Sequence, residues 1–102
     1  MYRVLLALND GEWRHGYALM QAVSEMTQGR ESILPGTLYA ALARMVADGL
    51  VEGREAPEDD RSGGPVRRYY RRTVFGRAVA RAESERLRAL LDIAVAQKII
   101  GK

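Results

Sequence analysis

The chain has 102 residues, 47% of them hydrophobic and 28% charged, which is the composition of one small globular domain. It contains no cysteine, which excludes disulfides, thiolate metal sites and cysteine nucleophiles and suits the reducing cytoplasm. No apolar run is long enough to span a bilayer, and the apolar start is too short for a signal peptide. We therefore expect a cytoplasmic protein with no membrane contact.

The net charge of +3 is unevenly distributed along the chain. Six acids and one base lie from Asp48 to Asp60, whereas seven bases and no acid lie from Arg61 to Arg81. Most of the bases are arginine, whose planar guanidinium group matches phosphates and guanine edges. The basic stretch indicates a polyanionic partner, and the neighbouring acids are expected to offset part of its charge.

Three helical patterns precede the turn-rich stretch Pro57–Pro65. The first covers Tyr2–Leu8, and the second, Tyr17–Met26, repeats apolar residues including its methionines at helical spacing. The third begins at Pro35, a residue that the first helical turn tolerates, and closes at Gly49. The predicted buried face of the third helix consists of Leu38, Ala41, Leu42 and Met45.

A hairpin and one long helix complete the predicted fold. Leu50–Ala56 and Val66–Thr73 are the two antiparallel strands of the hairpin, which we call the wing. Thr73 is a good N-cap for a final helix that runs to about Ile99. The fold class is therefore mainly α with a small β-hairpin: a winged helix-turn-helix domain (residues 1–73) and a long C-terminal dimerisation helix (residues 74–102) in one compact unit.

The final helix carries an apolar stripe, extending to Ile100, that is too wide for a chain of this size to cover. A partner helix from a second copy is the simplest cover, and burial within a single chain is the alternative. Arg86 and Gln97 interrupt the stripe at positions that would fix the register of two paired helices. The predicted dimerisation residues are Phe75, Val79, Ala82, Arg86, Leu87, Leu90, Leu91, Ile93 and Ala94.

The outward face of the third helix is small and nearly uncharged. Small side chains let a helix approach a DNA groove closely, although a solvated alanine-rich surface looks the same. A basic hairpin after this helix favours DNA, with the helix in the major groove and the wing on the phosphates. In the second strand, at least one of Tyr69 and Tyr70 is expected to pack against the helices. The outward residues are Gly36, Thr37, Ala40, Ala43, Arg44 and Ala47, with Tyr39 on the flank.

Single residues offer no route to catalysis. His15 is the one histidine, and the chain has no cysteine, so we do not expect a metal site. We expect His15 to cap the second helix instead. Trp13 is expected to cover the end of the core. Neither a nucleophile elbow nor a phosphate-binding loop is present, so we expect no enzyme activity and no cofactor.

Four short motifs occur in a characteristic order along nearly the whole chain. Together they closely resemble the PadR family of bacterial transcriptional regulators, and the single helix after the wing resembles its compact subgroup. The motifs are His15-Gly16-Tyr17, Pro35-Gly36-Thr37-Leu38-Tyr39, Asp48-Gly49-Leu50-Val51-Glu52, and Arg68-Tyr69-Tyr70 with Thr73 and Gly76.

The resemblance implies a homodimeric repressor that binds a palindromic operator in double-stranded DNA, with the helix that begins at Pro35 as the recognition helix. It also implies a small aromatic effector bound between subunits, although Phe75, at the start of the last helix, is the single aromatic residue of that helix. The alternative is a protein-interaction module on the same scaffold, with the wing merely solvated. The predicted DNA-binding residues are Tyr17, Gly36, Thr37, Tyr39, Ala40, Arg44, Arg67 and Arg68.

Overall fold

A computed structural model describes residues 1–56 and 67–101. The order of elements confirms the predicted class, which is mainly helical with a small antiparallel sheet. The predicted turn at 57–65 and the predicted strand residue Val66 lie outside the described residues. The elements are α1 (Tyr2–Ala7), β1 (Arg14–His15), α2 (Gly16–Met26), α3 (Pro35–Ala47), β2 (Val51–Glu55), β3 (Arg68–Arg72) and α4 (Val74–Ala96).

The helices begin where their caps predict. Pro35 occupies the first turn of α3, and the Thr73 hydroxyl accepts the Gly76 N–H at 2.9 Å to start α4. The predicted end of α4 at Ile99 is wrong, because the helix stops at Ala96 and Lys98 takes a φ of 61°. Ile100 therefore lies outside the helix whose stripe it was expected to extend.

The sheet has three strands in the order β1-β3-β2, one more than the predicted hairpin. The additional strand, β1, places Arg14 opposite Tyr70 and His15 opposite Tyr69. Side chains alternate across β3, and the face that carries Tyr70 packs on the helices with Tyr70 only 7% exposed. This confirms the expected burial of one wing tyrosine. The opposite face, called the outer face below, carries Tyr69 and Arg71.

The core lies among α1, α2, α3 and the inner face of the sheet. The expected burial of Leu38, Leu42 and Met45 on α3 is confirmed. On α2 the predicted apolar repeat is buried only in part, because Leu19 and Val23 face the core whereas Tyr17 and Met26 are exposed. The core cluster consists of Val4, Leu5, Leu8, Leu19, Leu38, Leu42, Met45, Leu50, Val51 and Tyr70.

α4 begins on the core and then extends away from it, so the molecule measures 57 × 28 × 21 Å. Gly76 is its one buried residue within the described chain. Val79 packs against the core of its own chain, and the Ser84 hydroxyl is hydrogen-bonded to the Tyr2 hydroxyl at 2.7 Å. Further along, Leu90, Leu91 and Ile93 are each about half exposed. Within the described residues, no helix is long and apolar enough to cross a membrane.

Candidate nucleic-acid interface

A cleft separates the N-terminus of α2, the middle of α3 and the basic strand of the wing. Four of the predicted DNA-binding residues meet there: Tyr17 from α2, Tyr39 from α3, and Arg67 and Arg68 from the wing. All four are exposed, and Tyr17 and Tyr39 retain 60% and 48% of their surface. The cleft therefore presents two aromatic hydroxyl groups and two guanidinium groups to one ligand, a set of hydrogen-bond donors that suits a phosphate-bearing backbone.

Gly16 holds the two helices of this cleft close together. A Cβ built on Gly16 would lie 2.7 Å from Cζ of Tyr39 and closer still to its hydroxyl oxygen. The ring of Tyr39 therefore lies directly over the first turn of α2, in space that any larger residue at position 16 would occupy. The sequence marked Gly16 as part of a motif but did not indicate this contact, because it depends on the crossing of α2 and α3.

His15 caps α2 as expected. Its Nδ1 accepts the N–H of Ala18 at 3.2 Å. The same ring lies parallel to Tyr17, with centroids 6.4 Å apart, and meets Tyr69 edge-on at 5.7 Å. His15 thus orders the start of α2 and joins it to the outer face of the sheet. No group of three His, Cys, Asp or Glu side chains among the described residues is arranged to hold a metal ion.

The turn that leads into β1 is held by an acidic side chain. The Asp10 carboxylate accepts the Glu12 N–H at 3.0 Å and pairs with the Arg14 guanidinium. The backbone N–H of Glu12, followed by the Arg14 guanidinium, holds the pKa of Asp10 below its ordinary value. This turn fixes the path of the chain just before His15.

The remaining predicted DNA-binding residues lie along α3 outside the cleft. Gly36, Thr37, Ala40 and Arg44 are all exposed, as expected for the outward face. Arg44 is loosely paired with Asp48 at 3.9 Å, and Thr37 borders a separate groove near Leu34. Leu34, the N-cap residue of α3, offers no side-chain hydrogen bond, so the first turn presents open N–H groups to an outside acceptor.

The wing arginines divide into two groups. Arg71 on the outer face pairs with Glu52, which confirms that a neighbouring acid offsets part of the basic charge. Arg67 and Arg68, by contrast, border the cleft and pair with no carboxylate of the described residues. These two arginines thus place positive charge, unpaired within the described residues, beside Tyr17 and Tyr39.

The predicted dimerisation residues form a separate surface on α4. Phe75 and Ile93 are 56% and 53% exposed, and the other large apolar residues along the helix are similarly open. Val79 and Ala94 are partly buried, and Val79 packs on the core of its own chain. Arg86 pairs with Glu83 one turn away on the same helix, and this hydrogen-bonded pairing raises the pKa of Arg86 and lowers that of Glu83.

Two helices packed on each other, followed by a hairpin that flanks the second helix, define a winged helix-turn-helix protein. Residues 4–82 match the sequence model of the transcriptional regulator PadR-like family. The chain belongs to this family, whose members are transcriptional regulators and not enzymes.

Individual relatives agree with this assignment. The chain is 40% identical over 87 residues to the transcriptional regulator Rv3488 of Mycobacterium tuberculosis, covering 85% of this chain and 70% of the relative. A transcriptional regulator from Clostridium thermocellum has the same fold, with a TM-score of 0.76 and 25% identity over 98% of this chain and 88% of that chain. Bacillus subtilis PadR, solved in complex with operator DNA, shares the fold with a TM-score of 0.67 and 18% identity, over 79% of this chain and 44% of that chain.

Proposed function

We propose that the protein is a sequence-specific DNA-binding repressor that acts in the cytoplasm as a homodimer on a palindromic operator. The observation that carries the proposal is the cleft in which Tyr17, Tyr39, Arg67 and Arg68 converge beside the exposed, small-residue face of α3. Phosphates of one DNA strand would bind in this cleft while α3 lies in the adjoining major groove. The solved complex of Bacillus subtilis PadR with operator DNA supports this assignment by its shared fold.

Residues 1–73 would then bind DNA and residues 74–102 would join the subunits. Gly36 and Ala40 permit close approach to the bases, whereas Thr37 and Arg44 supply polar contacts on one flank of α3. The exposed apolar side chains of α4 support pairing with a second copy, because a monomer would leave them in water. The symmetry of such a pair accounts for a palindromic operator, with half-sites about 10 bp apart or a multiple of that distance.

The test is selection of duplexes from a random pool, followed by binding titrations on the selected and scrambled duplexes at several salt concentrations. Arg67→Ala is expected to weaken binding to all sequences and to reduce the salt slope by about 0.9, the value for one phosphate that the protein no longer neutralises. Arg44→Ala is expected to alter base preference instead. Equal affinity of the unaltered protein for every duplex would contradict sequence-specific binding and favour a protein-interaction module.

Oligomeric state and the direction of regulation need separate measurements. Size-exclusion chromatography with light scattering should give the mass of two chains without DNA, and a monomer would contradict the homodimer. A reporter gene downstream of the selected operator should be silenced by the protein, and activation of the reporter would contradict the assignment as a repressor.

A small aromatic effector is part of the same proposal. Phe75 is 56% exposed at the start of α4 and is the helix's one aromatic side chain, so a flat ligand between subunits would stack there. Addition of the ligand should release the operator from the protein, and Phe75→Leu should reduce this release. Release that is unaffected by this change would place the effector elsewhere.

A further inference from the structure

The outer face of the sheet carries an aromatic ring between two arginines from different strands. The indole ring of Trp13 has the guanidinium carbon of Arg54, from β2, at 4.2 Å from its centroid and that of Arg71, from β3, at 4.6 Å. These distances are within the range of cation–π attraction. The prediction that Trp13 covers the end of the core is therefore replaced, because its partners are the exposed arginines of the wing and not the core cluster.

The strand register explains why this one side chain reaches both strands of the wing. Glu52 lies opposite Arg71 and Arg54 lies opposite Tyr69, so Arg54 and Arg71 are diagonal neighbours on the outer face. Trp13 directly precedes β1, which is hydrogen-bonded to β3 but not to β2. The ring of Trp13 therefore connects the segment before β1 to the far strand, a connection that the backbone pairing does not make.

We propose that Trp13 is a positioning residue that sets the angle at which the wing presents Arg67 and Arg68 to the DNA backbone. The inference rests on the proposed DNA-binding function. Two-stranded ribbons twist more than wider sheets, and β1 adds only two residue pairs to stiffen the wing. Arg54, which contacts the ring, lies close to the proposed phosphate-binding arginines. The Ala56 N–H, two residues after Arg54, donates a hydrogen bond to the Arg67 carbonyl at 2.7 Å.

The same arrangement divides four arginines of the wing by task. Arg54 and Arg71 are engaged by the indole ring, and Arg71 is also paired with Glu52. Arg67 and Arg68 border the cleft opposite Tyr39. Trp13 thus acts on DNA only through the position of the wing and touches no part of the cleft that we assign to phosphate.

Trp13→Leu tests the proposal because it removes the ring and leaves every charge of the protein unchanged. We expect operator binding weaker by up to about tenfold, because binding would then have to order the wing without its two cation–π interactions, and a salt slope that is shallower by about 0.9 for each phosphate that the wing no longer reaches. Trp13→Phe retains an aromatic face and should restore most of both quantities. Base preference, measured on the selected and single-substituted duplexes, should stay that of the unaltered protein.

A double-mutant cycle separates positioning from general stability. In a protein that already carries Arg67→Ala and Arg68→Ala, Trp13→Leu should have no further effect on affinity, because the groups that it positions are gone. An equal loss in both backgrounds would overturn the proposal. An unchanged salt slope in Trp13→Leu, with normal operator binding by the unaltered protein, would also overturn it.

Fluorescence gives a direct signature, because Trp13 is the single tryptophan of the chain. Its emission should change on operator binding, and this change should be reduced in the Arg67→Ala, Arg68→Ala variant at saturating DNA.

If Trp13→Leu does not fold, Arg54→Lys preserves the charge, removes the planar contact with the ring and should still lower the salt slope. Failure of the unaltered protein to prefer any duplex would refute the proposed function itself, a result distinct from those above.

Discussion

Gly76→Ala tests how α4 is attached to the rest of the molecule. Gly76 is buried, and a Cβ built on it would lie 3.0 Å from the carbonyl carbon of Leu50 and would overlap the carbonyl oxygen. The obstacle is backbone and cannot rotate away. Helix propensity alone predicts that this substitution stabilises the protein, so propensity and structure give opposite signs.

The magnitude follows from three contributions. Ala favours the helix by about 1 kcal/mol over Gly. Relief of the overlap requires a shift of about 1 Å, and overpacking of this kind costs about 1–3 kcal/mol. The shift also weakens the bond from the Thr73 N–H to the Leu50 carbonyl, now 3.1 Å and contributing about 1 kcal/mol. We therefore expect a net loss of about 2 kcal/mol, or a melting temperature lower by about 10 °C.

The assay is thermal and urea unfolding at a fixed protein concentration, because assembly also contributes to apparent stability. Gly36→Ala is the matched control, since it lies in the first turn of α3 and its built Cβ would meet nothing within 4 Å beyond its chain neighbours and its own helix backbone. The control should be neutral or stabilised by up to about 1 kcal/mol. If Gly76→Ala unfolds at or above the temperature of the unaltered protein, the close approach to Leu50 is wrong.

Three further predictions concern the cleft and its surroundings. Gly16→Ala should expel the Tyr39 ring and weaken operator binding about tenfold in titrations, and Tyr39→Phe should have a smaller effect. Normal operator binding by Gly16→Ala would contradict the close contact between Gly16 and the Tyr39 ring. His15→Ala should lower the free energy of unfolding by about 1 kcal/mol through loss of the α2 cap, and His15→Asn, which also caps, should recover most of it in urea unfolding. The pKa of Asp10 is lowered in the folded state, so its carboxylate stabilises the fold above its ordinary pKa and this effect is lost as the pH falls. Asp10→Asn should therefore reduce the loss of folding stability below about pH 4, by less than about 1 kcal/mol. An unchanged dependence of stability on pH in this acidic range would argue against the Asp10 pairing.

The helices were predictable because their signals are local. The apolar spacing of Leu38, Leu42 and Met45 and the first-turn Pro35 defined α3 and its buried face, and both are confirmed. Thr73 marked the start of α4 for the same reason, since an N-cap acts within one turn. The family resemblance rested on motifs that combine such local signals with residues of the cleft, and it was confirmed over residues 4–82.

The errors concern contacts between distant parts of the chain. Strand β1 has only two residues, too few for any alternation, and forms because Arg14 and His15 meet the edge of β3. The environment of Trp13 depends on the same pairing. Its contacts with arginines far away in the sequence could not be predicted from the residues next to it. On α2, Tyr17, Val23 and Met26 share one helical spacing. The crossing with α3 buries Val23 together with Leu19 and leaves the other two exposed.

The candidate cleft was only partly predictable. The sequence identified Tyr17, Tyr39, Arg67 and Arg68 one by one, through motif and charge, without their spatial relation. Their convergence depends on the crossing of α2 and α3 and on the position of the wing. His15, Gly16 and Tyr70 complete the cleft wall, and the sequence marked them as motif residues but not as neighbours in one cleft.

The joint at Thr73 has a mechanical consequence. Its hydroxyl lies 2.6 Å from the carbonyl oxygen of Gly49, two residues beyond the end of α3, so the base of α4 is joined directly to the end of α3. The hydrogen bond between Tyr2 and Ser84 holds the helix a second time, about 16 Å further along. In the proposed homodimer, these two attachments would set the direction of α4 and, through it, the spacing of the two α3 helices against a DNA repeat of about 34 Å.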